Sequence, residues 1–325
     1  MRKASKNITR IILVLLLFLF VFEGCSIDQE VEVSVTDSSL DEPRKFGATY
    51  MTMNNPFFQV LNDSIKEVIE SNGDILITRD PAQDQEKQNS QIQDMIQDGV
   101  VGIFVNPADW IKVKPALKAC KDAGIPVFNV DTYVYDTEYV VSTIISDNYD
   151  AGVQCAKDMM SKLDRAKIVV LDRPNMNSIT ERVKGFLDTI RDNPDYEVIA
   201  QESGGAGLEI SMGVMKKILL TGARFDVVMG GNDPTALGAL AALQLNHVDD
   251  RVLIYGVDGS PDGKMMIREG YLEGSSAQYP ATIGTVAAKT AYEYLSNKHV
   301  DKSITIPVKL ITKDNLDQFE IDGWQ

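Results

Sequence analysis

The residues with chemistry to offer sit just past short apolar runs. Asn54-Asn55-Pro56-Phe57-Phe58 follows FGATYM, Asn106-Pro107 follows VGIFV, Asp131-Thr132 follows PVFNV, Asn232-Asp233 follows FDVVMGG, Asp258-Gly259 follows RVLIYGV, and Gln278 ends GSSAQ. Carboxylates accept hydrogen bonds through two oxygens, and carboxamides both accept and donate, so such groups suit paired hydrogen bonds to a polar molecule. Phe57 and Phe58 would add aromatic faces. Each residue also has a plainer role. Pro56 suits the first turn of a helix, Asn55 an N-cap, and the two phenylalanines a core. Asn232 and Asp258 could cap the following helices, Asp131 could make a turn, and Gln278 could be a solvated edge residue. A structural role explains any one of them; six at the same ends of such runs point to a shared edge.

The runs that must position these residues are rich in β-branched side chains. They are FGATYM (46–51), DILIT (74–78), VGIFV (101–105), PVFNV (126–130), VVSTII (140–145), KIVVL (167–171), YEVIA (196–200), FDVVM (225–229), RVLIYGV (251–257) and GSSAQ (274–278). Helix-period segments lie between most of them, at 56–71, 84–98, 110–123, 148–163, 178–193, 209–221, 234–246 and 281–296. Steady alternation of strand and helix predicts parallel sheets covered on both faces, and about ten strands suit two doubly wound sheets better than one. Open parallel sheets bind ligands beyond the carboxyl ends of their strands, where the polar residues fall.

The chain has 325 residues, 44% of them hydrophobic, which suits two domains with real cores. Its 32 Lys and Arg face 47 acids, a net charge of −15 that disfavours nucleic acid as a partner. Four bases in MRKASKNITR precede the apolar run IILVLLLFLFVF, which is short for a membrane span and fits an export signal. Residues 26–43 carry six acids and no base, which reads as a self-repelling tether. Cys120 and Cys155 sit in amphipathic helical patterns and are expected to be buried thiols, since their spacing suits no metal site.

The stretches MNNPFF, VNPAD, ISDN, ERVKGF, NDPTALGAL and GVDGSPDG, in this order and spacing over residues 46–312, resemble the type I periplasmic sugar-binding proteins, and among them the ribose-binding group. Gly24-Cys25 after the apolar run resembles a bacterial lipoprotein signal, although Phe22 and Glu23 depart from its usual small or branched residues. The resemblance implies an α/β fold of two doubly wound parallel-sheet lobes joined by a three-strand hinge. Its parts would be a signal peptide at 1–24, a tether at 25–44, a first lobe of 45–145 plus 279–307, and a second of 146–278 plus 308–325. It implies a monomer, exported and lipid-anchored through Cys25 on the outer face of the cytoplasmic membrane or periplasmic, that holds a monosaccharide or polyol and delivers it to an ABC permease. A membrane histidine kinase or chemoreceptor is the alternative recipient.

Carried over position by position, the binding residues implied are Asn55, Phe57, Phe58, Asn106, Asp131, Thr132, Arg182, Asn232, Asp258 and Gln278, with no cofactor, metal or catalytic residue. Arg182 comes from the resemblance alone, since SITERVKGF marks it only as a helix charge. Aromatic planes would take the C–H faces of a sugar, and the polar groups its hydroxyl rim. Three positions depart from the ribose-binding pattern: Met51 stands for a serine, Thr132 for an arginine and Ala206 for a bulky aromatic. Together they imply a ligand larger than a free pentose.

Two other classes fit less well. A cleft with paired carboxylates could hydrolyse glycosides, but the chain has two histidines, His247 and His299, at a helix end and in a turn, and neither a Gly-x-Ser-x-Gly nor a phosphate loop. A sugar-sensing repressor would carry a basic helix-turn-helix before its first strand, where this chain carries an export signal and acidic residues.

Overall fold

The computed structural model describes residues 42–248 and 252–325. The sequence features assigned to residues 1–41, including the signal and Cys25, lie outside the described residues. In chain order the strands are β1 (Lys45–Thr49), β2 (Ile75–Arg79), β3 (Gly102–Val105), β4 (Val127–Val130), β5 (Ser142–Ser146), β6 (Ala166–Asp172), β7 (Tyr196–Ser203), β8 (Val227–Gly230), β9 (Leu253–Asp258), β10 (Gly274–Ala277), β11 (Ser303–Ile306) and β12 (Lys309–Thr312). They form two six-stranded sheets, ordered β11-β5-β4-β3-β1-β2 and β12-β10-β9-β8-β6-β7. All neighbours are parallel except β12, which runs antiparallel to β10. The central strands GIFV, VFNV and VVMG are buried at every residue, as expected where helices cover both faces of a parallel sheet.

The chain changes sheet three times: after β5, after β10, and between β11 and β12. The first and third of these passages are bonded to each other. The Asp147 N–H donates to the Ile306 carbonyl at 2.9 Å, and Gln154 Nε2 donates to the Val308 carbonyl at 3.2 Å. The first lobe's core stacks Phe46, Phe104 and Phe128 along neighbouring strands. Cys120 and Cys155 are buried free thiols. Among the described residues, no helix is long and apolar enough to cross a membrane.

Three details differ from the sequence reading. The first strand ends at Thr49 rather than Met51, because the Met51 N–H leaves the ladder and donates to the side chain of Asn106 at 3.0 Å. A helix at Pro261–Glu269, capped by Ser260, fills the connection between β9 and β10. The short strands β11 and β12 also lie outside the runs picked out by composition.

Candidate functional site

A cavity of about 240 Å³ lies between the lobes, walled by residues that follow β1, β4, β8, β9 and β10. Asn55, Phe57, Phe58 and Asp131 face it from the first lobe, Arg182, Asn232 and Asp258 from the second, and Gln278 from the passage after β10. Of the ten positions carried over, Asn106 and Thr132 are not on its wall.

The first-lobe wall begins where β1 gives way to the helix Pro56–Ser71. Asn55 caps that helix, its Oδ1 accepting the Phe57 N–H at 3.0 Å, while its Nδ2 has no partner among the described residues. Phe57 and Phe58 meet edge to face at 5.3 Å, and Tyr50 stacks on Phe58 at 6.0 Å. The rings are 3% and 4% exposed, so they serve as core and as cavity wall at once. Asp131 follows β4 in a left-handed conformation, φ 64°, that ordinary residues seldom adopt. Asn106 holds it there: Nδ2 donates to Asp131 Oδ2 at 2.9 Å and to the Val130 carbonyl at 3.3 Å, while Oδ1 takes the Met51 N–H. Its amide is fully used, so Asn106 positions Asp131 from behind. Gln88, which the sequence reading passed over, braces the same layer by donating to the Asn106 carbonyl at 2.9 Å.

Arg182 reaches the cavity because two helices touch backbone to backbone. A Cβ on Gly152 would lie 1.8 Å from the Arg182 carbonyl, and one on Gly185 2.0 Å from that of Tyr149. That contact puts Arg182 beside Asn148, whose Oδ1 accepts from Nε at 2.8 Å; Nη1 donates to the Gly231 carbonyl at 3.0 Å and lies 3.8 Å from Asp258 Oδ1. Gln278 Nε2 donates to the same carboxylate oxygen at 2.7 Å, and Gln278 Oε1 is buried without a partner. Asn232 does cap the helix Asp233–Leu245, and its Nδ2 donates to the Ala206 carbonyl at 3.3 Å. Asp258 caps nothing; Ser260 takes that place.

Burial raises the carboxyl groups of Asp131, Asp233 and Asp258 above the ordinary range, and Arg182 pulls each of them back down. Asp258 rises to about 8, through burial first and then the charge of Asp233. Asp233 is itself held by three donors, the Ser260 N–H and hydroxyl and the Ser275 hydroxyl.

The lobes meet directly beside the cavity. Thr132 Oγ1 bonds Asp131 Oδ2 at 3.0 Å and the Ser178 hydroxyl of the other lobe at 2.9 Å. Arg173 Nη2 reaches Gln83 Oε1 at 3.4 Å. Trp324 packs its edge on Phe57 at 5.7 Å, and Gln325 Nε2 donates to the carbonyls of Asp258 and Gln278 at 3.0 and 2.7 Å. The sequence reading found none of Ser178, Gln83, Arg173 or Trp324 as site residues. Each acts through a partner distant in sequence, so no local pattern signals it.

A cavity between the lobes with aromatic faces, paired carboxylates and the buried Arg182 guanidinium can hold a small polar molecule from two sides. The arrangement defines a two-lobed solute-binding protein. A periplasmic binding protein domain matches residues 46–299, and the chain belongs to that family, which binds and carries solutes and is not enzymatic. The chain is 30% identical over 302 residues to the ribose import binding protein of Bacillus subtilis, covering 92% of this chain and 97% of the relative. It is 31% identical to the ribose import binding protein of Escherichia coli, over 81% of this chain and 88% of the other. In fold it is similar to an ABC transporter solute-binding protein from Bacillus halodurans with bound myo-inositol, with a TM-score of 0.81, 23% identity, and coverage of 86% of this chain and 98% of that one.

Proposed function

We propose that this protein captures a monosaccharide or related polyol between its lobes, outside the cytoplasmic membrane, and delivers it to an ABC permease. The observation that carries the reading is that Asp131 and Arg182 with Asp258, from opposite lobes, face one cavity beside the Phe57–Phe58 pair. The relatives named for ribose import and the neighbour holding myo-inositol bind molecules of this class. The ten carried-over residues divide in role: Asn106 and Thr132 position Asp131, and the other eight contact the ligand.

The ligand is larger than a free pentose: a hexose, a cyclitol or a substituted sugar. Met51 and Ala206 line the cavity, and Thr132 is off its wall, bonded to Asp131 and Ser178. A cavity of ~150 Å³ suffices for a benzene ring, so about 240 Å³ leaves room for a six-membered ring with its hydroxyls. The three changes of sheet support lobes of 45–145 plus 279–307 and 146–278 plus 308–325, with β5 running one residue past the first boundary, to Ser146. The mature protein is a monomer tethered by residues 26–43 to a lipid on Cys25. Replacing Cys25 by serine should then release it from the membrane fraction.

A thermal-shift screen of monosaccharides and polyols tests the main reading, since a ligand that binds the folded state alone raises its stability. A hexose or cyclitol should raise the melting temperature more than ribose does. Tight ribose binding with nothing larger competing would overturn the size argument, and silence across the whole panel would overturn sugar binding.

A further inference from the structure

Three acceptors around the cavity are left without protein donors. Asp131 commits Oδ2 to Asn106 and Thr132, and among the described residues nothing donates to Oδ1. Asp258 commits Oδ1 to Gln278, and nothing donates to Oδ2. Gln278 Oε1 is buried and unpartnered, and the residue is 2% exposed. All three residues line the cavity. On the donor side, Arg182 has given Nε to Asn148 and Nη1 to Gly231, which leaves Nη2, and the Nδ2 groups of Asn54 and Asn55 on the wall have no acceptor among the described residues. Arg173, the other cation on the wall, is tied to Asn175, Gly205 and Gln83.

Charge is unbalanced toward the acids. Two buried carboxyl groups face the cavity against one buried guanidinium, and Asp233, fully buried behind Asp258, adds a third acid whose partners are neutral. Burial and then the charge of Asp233 raise the Asp258 carboxyl to about 8. A hydroxyl fits such a place incompletely, because it donates one hydrogen bond, carries lone pairs that face the remaining acceptors, and brings no charge. An ammonium group has three donors, no acceptor and a positive charge.

We propose that the ligand carries a protonated amine, as in an amino sugar or amino cyclitol, and that the ammonium lies against Asp131, Asp258 and Gln278 while the ring packs on Phe57 and Phe58. This rests on the sugar-binding reading above and narrows it. Arg182 Nη2 and the Nδ2 groups of Asn54 and Asn55 supply donors for the ring's remaining oxygens.

Calorimetry near neutral pH decides it, using hexoses and inositols, the same compounds with one hydroxyl replaced by an amine, and the N-acetyl derivatives of those amines, which keep the bulk without the charge. At least one amine should bind tenfold or more tightly than both its parent alcohol and its acetylated form. Asp131→Asn should remove most of that preference while changing the affinity for the parent alcohol less. A parent alcohol that binds as tightly as every amine overturns the amine and leaves sugar binding standing. Failure of all three series overturns both readings. The comparison on the unaltered protein stands even if the variant does not fold.

Discussion

The two walls of the cavity are built on different physics. The first-lobe wall is a matter of shape: two phenylalanines, a capping asparagine and one carboxylate, braced from behind by the neutral amides of Asn106 and Gln88. The second-lobe wall is a matter of charge: Arg182 with Asp258, and behind them Asp233. Neutral hydrogen bonds act on their nearest partner, whereas charges in a low-dielectric interior act on one another over several ångströms. Damage to the first wall should therefore stay local, and damage to the second should spread into stability and pH dependence.

The sharpest break in that contrast is Arg182→Ala. It leaves Asp258 without its cation and the Asn148 and Gly231 oxygens without their donor, so it should abolish measurable binding and destabilise the fold by ~3 kcal/mol, as removal of one partner from a buried ion pair does. Urea unfolding and calorimetry together read both effects. Asp131→Ala, on the other wall, should lose about 2–5 kcal/mol of binding, on the order of thirtyfold or more in Kd, with a smaller change in unfolding midpoint. If Asp131→Ala proves as destabilising as Arg182→Ala, the contrast between the walls fails.

Asn106→Ala should fall between binding and structure. It frees Asp131 and strips the Met51 N–H of its acceptor, at about 1–3 kcal/mol for a buried group left unsatisfied, and affinity should drop about tenfold. Thr132→Val removes the direct hydroxyl bond between lobes, worth ~1 kcal/mol. Small-angle scattering should then show a larger radius of gyration for the ligand-free variant than for the ligand-free wild type, and the same contracted value for both at saturation.

The pH dependence has a defined sign. The Asp258 carboxyl is raised in the folded protein to about 8 from 3.8, so folding binds a proton. Its contribution to stability is fully present below the unfolded value and is lost as pH rises through the folded one. The melting temperature of the ligand-free protein should fall between these limits, and Asp258→Asn should flatten the decline. An equally steep decline in Asp258→Asn would place the titration elsewhere.

The alternation of strands and helices was legible in the sequence because each central strand is a short β-branched run bounded by turn residues. The polar residues at strand ends were legible for the same reason, since a strand's last residue marks the edge where Asp131, Asp258 and Gln278 stand. The helix Pro261–Glu269 was missed because it fits into a brief connection between two runs, and β11 and β12 because each is only four residues long, with at most one of them buried. Arg182 was invisible to composition: a buried arginine in SITERVKGF differs from a surface one only by the glycine contact that presses its helix on a neighbour. Thr132 and Ser178 meet across 46 positions, and no local pattern encodes that pairing.

Trp324 leans on Phe57 of the first lobe and is partly buried. The chain has one other tryptophan, Trp110, which packs on Tyr135 within the first lobe. Separation of the lobes would withdraw Trp324 from its aromatic neighbour into water while leaving Trp110 where it is. The protein thus carries its own optical gauge: in a Trp110→Phe background, intrinsic emission should shift to the red as the lobes part and to the blue as they fill, reporting occupancy without a label.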